Sequence, residues 1–305
     1  MDKIKCLKCK EDAIIVADNK TKPYCQNHFL DYFEKKVFHT IREYRMIKKD
    51  EHIAVALSGG KDSTTLLYIL KKLQEQFPFK LSAIFLDEGI KGYRDKAYEQ
   101  AKKTAKKLKV PLYRFSFDKE YGTTIDKIVK KKNRFGSCSY CGVFRRDLLN
   151  KAAKKIKASK LAVGHNLDDA VQTIILNLIR NEPHRLMRFG PNIKNVNNEF
   201  ITRIQPLIKI AEIEVATYAL INDLNMHFHD CPYAQQAMRQ LVREIVNQIE
   251  DKYPGTKIRI FRFLETLQME YKRKNEPKAI GRCAKCDQVS SSKICSKCKL
   301  LEQLQ

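Results

Sequence analysis

At 305 residues, 43% of them hydrophobic, the chain is long enough for one large domain with small appendages. Lys and Arg number 59 against 35 Asp and Glu, and the resulting +24 attracts polyanions, nucleic acid foremost; lysine-coated, solvated helix faces are the plainer alternative. Its apolar runs fall short of a membrane span and no Lys-then-apolar signal opens it, so a soluble, cytoplasmic protein with no membrane partner is expected.

Residues 1–30 lack long periodic segments but carry Cys6, Cys9, Cys25 and His28, a C-x2-C followed by a C-x2-H. Four soft or borderline ligands on two short knuckles suit a tetrahedral Zn²⁺, and cytosolic thiols stay reduced rather than pairing as disulfides. So short and polar a region needs metal binding to supply its folding energy. An N-terminal zinc finger over 1–30 is the expectation.

From about 40 to 270 strand-like and helix-like segments alternate. "HIAVALSG" reads as a buried strand, and "STTLLYILKKLQEQF" continues it as a helix with Leu66, Leu67, Leu70 and Leu73 on one side. "LSAIFLDEG" is a second strand, Ala97 to Leu108 a helix with a lysine-rich outer face, and "PLYRFSF" a third strand. "RRDLLNKAAKKI" is helical, "KLAVGH" a strand, and "DDAVQTIILNLIR" a helix with Val171, Ile174, Ile175, Leu178 and Ile179 on one stripe. Residues 211–270 form a helical extension. This alternation predicts an α/β fold with a doubly wound, mainly parallel sheet, and ligands at the carboxyl ends of its strands.

Where the first strand becomes the first helix stands "SGGKDS": Ser58, Gly59, Gly60, Lys61, Asp62 and Ser63. The glycines let the backbone approach a ligand with its N–H groups free. The helix N-terminus and Lys61 add positive charge, and hydroxyls supply further donors. The spacing is neither a Walker A loop nor G-x-G-x-x-G. It predicts a phosphate cradle rather than a plain Ser-capped turn. "GHNLDD", from Gly164 and His165 to Asp168 and Asp169, is a strand end followed by an acidic helix start; N-capping alone is the modest alternative to a nucleotide-site role.

Residues 278–300 carry Cys283, Cys286, Cys295 and Cys298, two C-x2-C pairs that predict a second structural zinc site in a C-terminal ribbon. That leaves Cys138 and Cys141 in "CSYCG", and Cys231 in "DCPY". Their spacing leaves two chemistries open: a redox dithiol with Cys231 incidental, or an iron–sulfur cluster on all three, with one iron lacking a protein ligand. Basic residues flank this region: Lys130, Lys131, Lys132 and Arg134 before it, Arg145, Arg146, Lys154 and Lys155 after it, and Arg180, Arg185 and Arg188 further on. Contacts of that kind hold nucleic-acid phosphates and give salt-dependent affinity.

"SGGKDS" resembles the loop of the PP-loop ATP pyrophosphatases. Together with "CSYCGVFRRDLLNKAA", "GHNLDD", the later Cys-Pro and the two zinc knuckles, it is similar to the tRNA 2-thiolation branch of that family over nearly the whole chain. The resemblance implies ATP and Mg²⁺ at Ala56, Ser58, Gly59, Gly60, Lys61, Asp62 and Ser63, with Asp87, Gly164 and His165 on the nucleotide. It implies a [4Fe–4S] cluster on Cys138, Cys141 and Cys231, and catalytic roles for Lys61, Asp169 and Arg145. T-loop thiolases of this branch have Lys where Arg145 stands; "GVFRR" is closer to the wobble-uridine thiolases of archaea and the eukaryotic cytosol. Arg keeps its proton at neutral pH, which puts charge stabilisation ahead of proton transfer there. The implied activity is ATP-dependent tRNA uridine 2-sulfurtransfer: O2 is adenylated and sulfur replaces it at C2. The branch implies a homodimer and a sulfur donor, either free sulfide or a ubiquitin-like thiocarboxylate protein. The alternatives are T-loop thiolation, a cluster-free persulfide on the Cys138–Cys141 pair, and a non-catalytic zinc-ribbon RNA-binding protein.

Overall fold

A computed structural model describes residues 4–131, 136–193, 200–226, 231–233, 238–274 and 281–304. Six strands form the central sheet: β1 (His52–Ala56), β2 (Lys80–Asp87), β3 (Leu112–Ser116), β4 (Lys160–Ala162), β5 (Asn192–Ile193) and β6 (Thr202–Ile204). Their order is β3-β2-β1-β4-β6-β5, parallel throughout except for the β5–β6 edge pair. The first four strands lie where their apolar runs predicted. The short β5 and β6 were not legible, because two or three residues carry no measurable period.

Among the described residues eight longer helices pack on the sheet or on one another: α1 (Gln26–Glu43), α2 (Lys61–Gln76), α3 (Tyr93–Lys107), α4 (Ser137–Lys155), α5 (Leu167–Ile179), α6 (Glu212–Ile221), α7 (Met238–Lys252) and α8 (Thr256–Lys274). Successive strand residues point to opposite faces, so one buried cluster takes Ile53, Val55, Ala83 and Phe85 while another takes Ala54, Ile84 and Leu86. On the first face they meet Phe33 and Val37 of α1, Leu66 and Leu70 of α2, Ala97 and Ala101 of α3, and Tyr218 of α6. On the second they meet Phe144, Leu148 and Ala152 of α4. Burial on both faces explains why the strands read as unbroken apolar runs. Each fully buried Leu or Phe stabilises the fold by roughly 1.5–3 kcal/mol.

A third cluster joins Val171 and Ile174 of α5 to Val242 and Val246 of α7 and to Phe261 and Leu264 of α8. The predicted α5 stripe stops there, for Leu178 and Ile179 are 61% and 59% exposed. A second difference lies at α4, which begins at Ser137 rather than after the cysteine pair. Gly142 masks the helical signal, but Tyr140, Phe144 and Leu148 recur every four residues and are all buried, which holds the extra turns in place.

The N-terminal cysteine segment packs into the main core. Cys6, Tyr24 and Cys25 share one cluster with Phe29, Phe33 and the sheet, so α1 carries the finger's core into the domain's core. At the other end Leu300, in the helix Ser296–Glu302, is buried against the α4 face. No helix among the described residues is long and apolar enough to cross a membrane.

Candidate active site

The strand order reverses between β1 and β4, since β1 leads to β2 on one side and β4 leads to β6 on the other. The loops after those two strands meet at this switch point, where open α/β sheets bind ligands. An added Cβ on Gly164 would lie 2.9 Å from the Ser63 nitrogen, so the β4 loop packs backbone to backbone on the β1 loop. Gly59 has φ +87°, and its Cβ would stand 2.5 Å from the Ala97 carbonyl oxygen of α3. A side chain at either position would push the loop apart.

The β1 loop is braced by hydroxyls. Ser63 Oγ accepts the Ser58 N–H at 3.0 Å and lies 2.9 Å from Ser58 Oγ, while Gly60 N–H points to Ser58 Oγ at 3.3 Å. Lys61 and Asp62 open α2, with Lys61 Nζ 3.0 Å from Asp62 Oδ2 and 2.6 Å from Glu212 Oε1. Burial works against the Lys61 charge, but Asp62 and Glu212 outweigh it and hold its pKa above the ordinary value. Asp62 moves the other way from a usual acid: burial pushes it up, and nearby Asp169 adds to that.

Asn166 ties the two loops together. Its Nδ2 donates to Asp62 Oδ1 at 3.0 Å, its Oδ1 accepts the Asp169 N–H at 3.0 Å, and its own N–H donates to Asp169 Oδ2 at 3.3 Å. The N-capping read from the sequence is therefore present, and it leaves two carboxylates, Asp62 and Asp169, beside the β1 loop. Two hard oxygen donors beside such a loop fit a Mg²⁺ that keeps waters and takes phosphate oxygens. Ala56 ends β1 half-buried, and His165 is exposed in the β4 loop. Asp87 ends β2, where one oxygen accepts the Gly89 N–H at 2.9 Å and the other pairs with Arg114 at 2.6 Å. Glu212, Arg239 and Arg243 were not singled out by sequence. No local pattern marks a residue that reaches Lys61 from 151 positions away.

Cys138 and Cys141 lie on the first turns of α4 near the carboxyl end of β2. Cys138 Sγ is 3.7 Å from the Tyr233 carbonyl oxygen, two residues past Cys231. Burial raises the thiol pKa values of Cys141 and Cys231; Arg145 draws Cys141 partly back, and the Tyr233 backbone N–H and then Arg145 do so for Cys231, while Cys138 adds to the rise of both. A soft metal centre would replace those protons. Three thiols converging from two segments, next to a cation, are the donor set an iron–sulfur cluster needs.

Cys6, Cys9, Cys25 and His28 form one tight group, and Cys283, Cys286, Cys295 and Cys298 another, with all ligand atoms of each within 4.8 Å of one another. Cys9 and Cys25 sulfurs are 3.7 Å apart, as are those of Cys286 and Cys295, and His28 Nδ1 lies 3.3 Å from Cys25 Sγ. Thiolates about 2.3 Å from a tetrahedral Zn²⁺ stand roughly 3.8 Å from each other, so both groups fit zinc.

Of the basic residues, Lys130, Lys131, Lys154, Lys155, Arg180, Arg185 and Arg188 are exposed, while Lys132 and Arg134 lie outside the described residues. Arg146 is exposed as well, yet the protein around its base and the like charges of Arg185 and Arg145 lower its pKa. Burial and Arg146 together push Arg203 to about 10. Arg203 Nη2 also donates to the Arg146 carbonyl oxygen at 2.9 Å, which keeps the two guanidinium-bearing residues side by side.

Known proteins bear out the combination of this loop with these cysteines. The PP-loop domain family matches residues 29–249. A cytoplasmic tRNA 2-thiolation protein 1 of Aspergillus niger is 34% identical over 98% of this chain and 88% of its own length. A tRNA-5-methyluridine(54) 2-sulfurtransferase of Pyrococcus horikoshii is 35% identical over 97% of this chain and 93% of its own. The chain belongs to the PP-loop tRNA 2-thiolation family. Among solved structures, the U34-tRNA thiolase NcsA of Methanococcus maripaludis with its [4Fe-4S] cluster is 33% identical, with a TM-score of 0.85 over 100% of this chain and 97% of that one. The α/β architecture with a mainly parallel sheet is thus the 2-thiolation family's own.

Proposed function

We propose that this chain is an ATP-dependent tRNA uridine 2-sulfurtransferase acting at the wobble uridine. The observation that carries it is the placement of three thiols, Cys138, Cys141 and Cys231, beside a PP-loop at the switch point of the sheet. Arg145, four residues after Cys141, supports the wobble base over the T-loop base.

Asp62 and Asp169 would hold a Mg²⁺, which would add charge neutralisation at the ATP phosphates. In the proposed reaction the β1 loop amides and Lys61 bind those phosphates. They neutralise charge as uridine O2 attacks the α-phosphorus and pyrophosphate leaves. Ala56, Asp87, Gly164 and His165 line the nucleoside end. Arg145, unable to give up its proton, stabilises negative charge near C2 while sulfur replaces O2 and AMP departs. A [4Fe–4S] cluster on the three cysteines, when bound, supplies an iron without a protein ligand to carry the sulfur. Zinc at each terminal group is structural, flanking the PP-loop domain. The exposed stripe Met238, Leu241, Ile245 and Ile249 supports the homodimer reading. The sulfur donor is free sulfide or a ubiquitin-like thiocarboxylate protein.

The test is anaerobic purification with iron, acid-labile sulfide and zinc measured beside a Cys231→Ala variant. About four irons and four sulfides with two zincs are expected, with iron but not zinc lost in the variant. Two zincs and no iron after reconstitution would replace the cluster with a persulfide on the cysteine pair. Absence of pyrophosphate release with tRNA and ATP would remove the enzymatic reading altogether.

A further inference from the structure

One wall of the nucleotide site carries charges that the proposed reaction leaves unused. Glu212, the first residue of α6, sends Oε1 to Lys61 Nζ at 2.6 Å and Oε2 to Arg243 Nη2 at 2.6 Å. A single carboxylate thus bridges the loop lysine and a guanidinium from α7. One turn earlier on α7, Arg239 faces Asp169 Oδ1 at 3.8 Å and donates to Thr173 Oγ1 at 3.1 Å. The helix therefore lays two guanidiniums along the open side of the loop, and the side chains of Arg239 and Arg243 remain 45% and 42% exposed.

We infer that Arg243 is a ligand for the ATP phosphates and that Glu212 is a resident counter-anion which those phosphates displace. This builds on the reading of the β1 loop as the phosphate site. A carboxylate held by Lys61 and Arg243 marks where the protein already tolerates an anion between two cations. Phosphates bring more charge and more acceptor oxygens than one carboxylate, and guanidinium is well matched to them. Displacement need not move α6, because the Glu212 backbone N–H is held separately by Asp168 Oδ2 at 2.8 Å, and Asp168 is paired with Lys257. Only the Glu212 side chain has to swing. In the ligand-free protein it keeps Lys61 and Arg243 paired, offsetting the cost of burying Lys61.

Titration calorimetry on the full, zinc-loaded, cluster-free chain separates the possibilities, with pyrophosphate and then ATP as probes in magnesium-free buffer. Glu212→Gln should tighten pyrophosphate binding by about tenfold, and Arg243→Gln should weaken it by about tenfold or more, with Arg243→Lys between wild type and Arg243→Gln. Affinity unchanged in Arg243→Gln, or Glu212→Gln binding pyrophosphate more weakly than wild type, would overturn the inference. Lys61→Gln reports on the underlying site: if it binds both probes like wild type, the loop is not the phosphate site at all. If it alone loses them, the loop stands and only the Glu212–Arg243 exchange falls.

Discussion

Glu88 Oε1 lies 2.9 Å from Nη2 of Arg145, and the same nitrogen reaches Cys141 Sγ at 3.3 Å. The other Glu88 oxygen pairs with Arg94 Nε at 2.5 Å, and Arg94 Nη1 donates to the Ser58 carbonyl at 3.4 Å. A 2% exposed carboxylate therefore stands between the phosphate loop and the thiols, holding one guanidinium toward each. It raises the Arg145 pKa further, so this residue stays cationic beside the cysteines.

That arrangement is asymmetric, and the asymmetry can be measured. Glu88→Gln leaves the buried Arg94 without its counter-charge and should lower unfolding free energy by about 3–5 kcal/mol. Arg145 is half-exposed and Glu88 retains Arg94, so Arg145→Ala should cost only about 1 kcal/mol while removing most thiolation. Denaturant titration of both variants checks the order; equal losses would mean that the Glu88–Arg94 pair is not the anchor.

Gly59→Ala should be far worse than Gly60→Ala. At Gly59 the left-handed φ of +87° costs about 1–3 kcal/mol for alanine, and the new Cβ meets the Ala97 carbonyl oxygen at 2.5 Å. At Gly60 φ is −82° and the nearest atom is Ser58 Oγ at 3.5 Å, so alanine fits. Thermal unfolding and ATP affinity should both fall for Gly59→Ala, with only a minor change in stability for Gly60→Ala.

How much of this was legible before folding follows from how local each signal is. The loop, the Cys pairs and the long apolar strands are contiguous in sequence, so period and spacing reveal them. Glu88 reads only as the second acid of "LDEG", although its burial between Arg94 and Arg145 is what connects the two halves of the site. Glu212 and Arg243 meet Lys61 only through the packing of α6 and α7. Gly142 hid the true start of α4, because buried Tyr140 and Phe144 override a weak local helix preference.

Glu212 and Asp62 should give opposite pH signatures. For Glu212, burial pushes the pKa up, but Lys61 and Arg243 outweigh it and leave it below the ordinary 4.5. Its stabilising contribution is then complete above the unfolded value and is lost as pH falls through the lower folded value. The stability difference between wild type and Glu212→Gln should be constant from neutral pH to about pH 5 and shrink below it. Asp62 has a folded pKa raised above the ordinary 3.8, chiefly by burial, so its charge costs stability at neutral pH. Asp62→Asn should raise the ligand-free melting temperature while abolishing Mg²⁺-dependent nucleotide binding. A lowered melting temperature would refute the burial argument.

The two terminal groups proposed to hold zinc should differ in what their loss unfolds. Cys6 and Cys25 are 6% and 2% exposed and lie in the same cluster as Phe29, Phe33 and the sheet, so Cys25→Ser removes metal from the edge of the main core. It should reduce zinc from two to one and destabilise the whole domain by several kcal/mol, a fraction of the roughly 10–16 kcal/mol that structural zinc supplies to isolated fingers. At the other terminus, Leu300 is the buried residue through which Ser296–Glu302 joins the α4 cluster, helped by Lys297 Nζ at 3.6 Å from Asp147 Oδ1 and by Tyr140 donating to Gln303 Oε1 at 3.1 Å. Cys286→Ser should also cost one zinc, but leave the main unfolding transition nearly in place. Its effect should fall on α4, whose first turns hold Cys138 and Cys141, and show as faster iron loss from the reconstituted protein. Zinc analysis, thermal unfolding and iron-release rates on the two variants decide it. Equal destabilisation with equal iron loss would mean that the zinc modules act on one core rather than on its two faces.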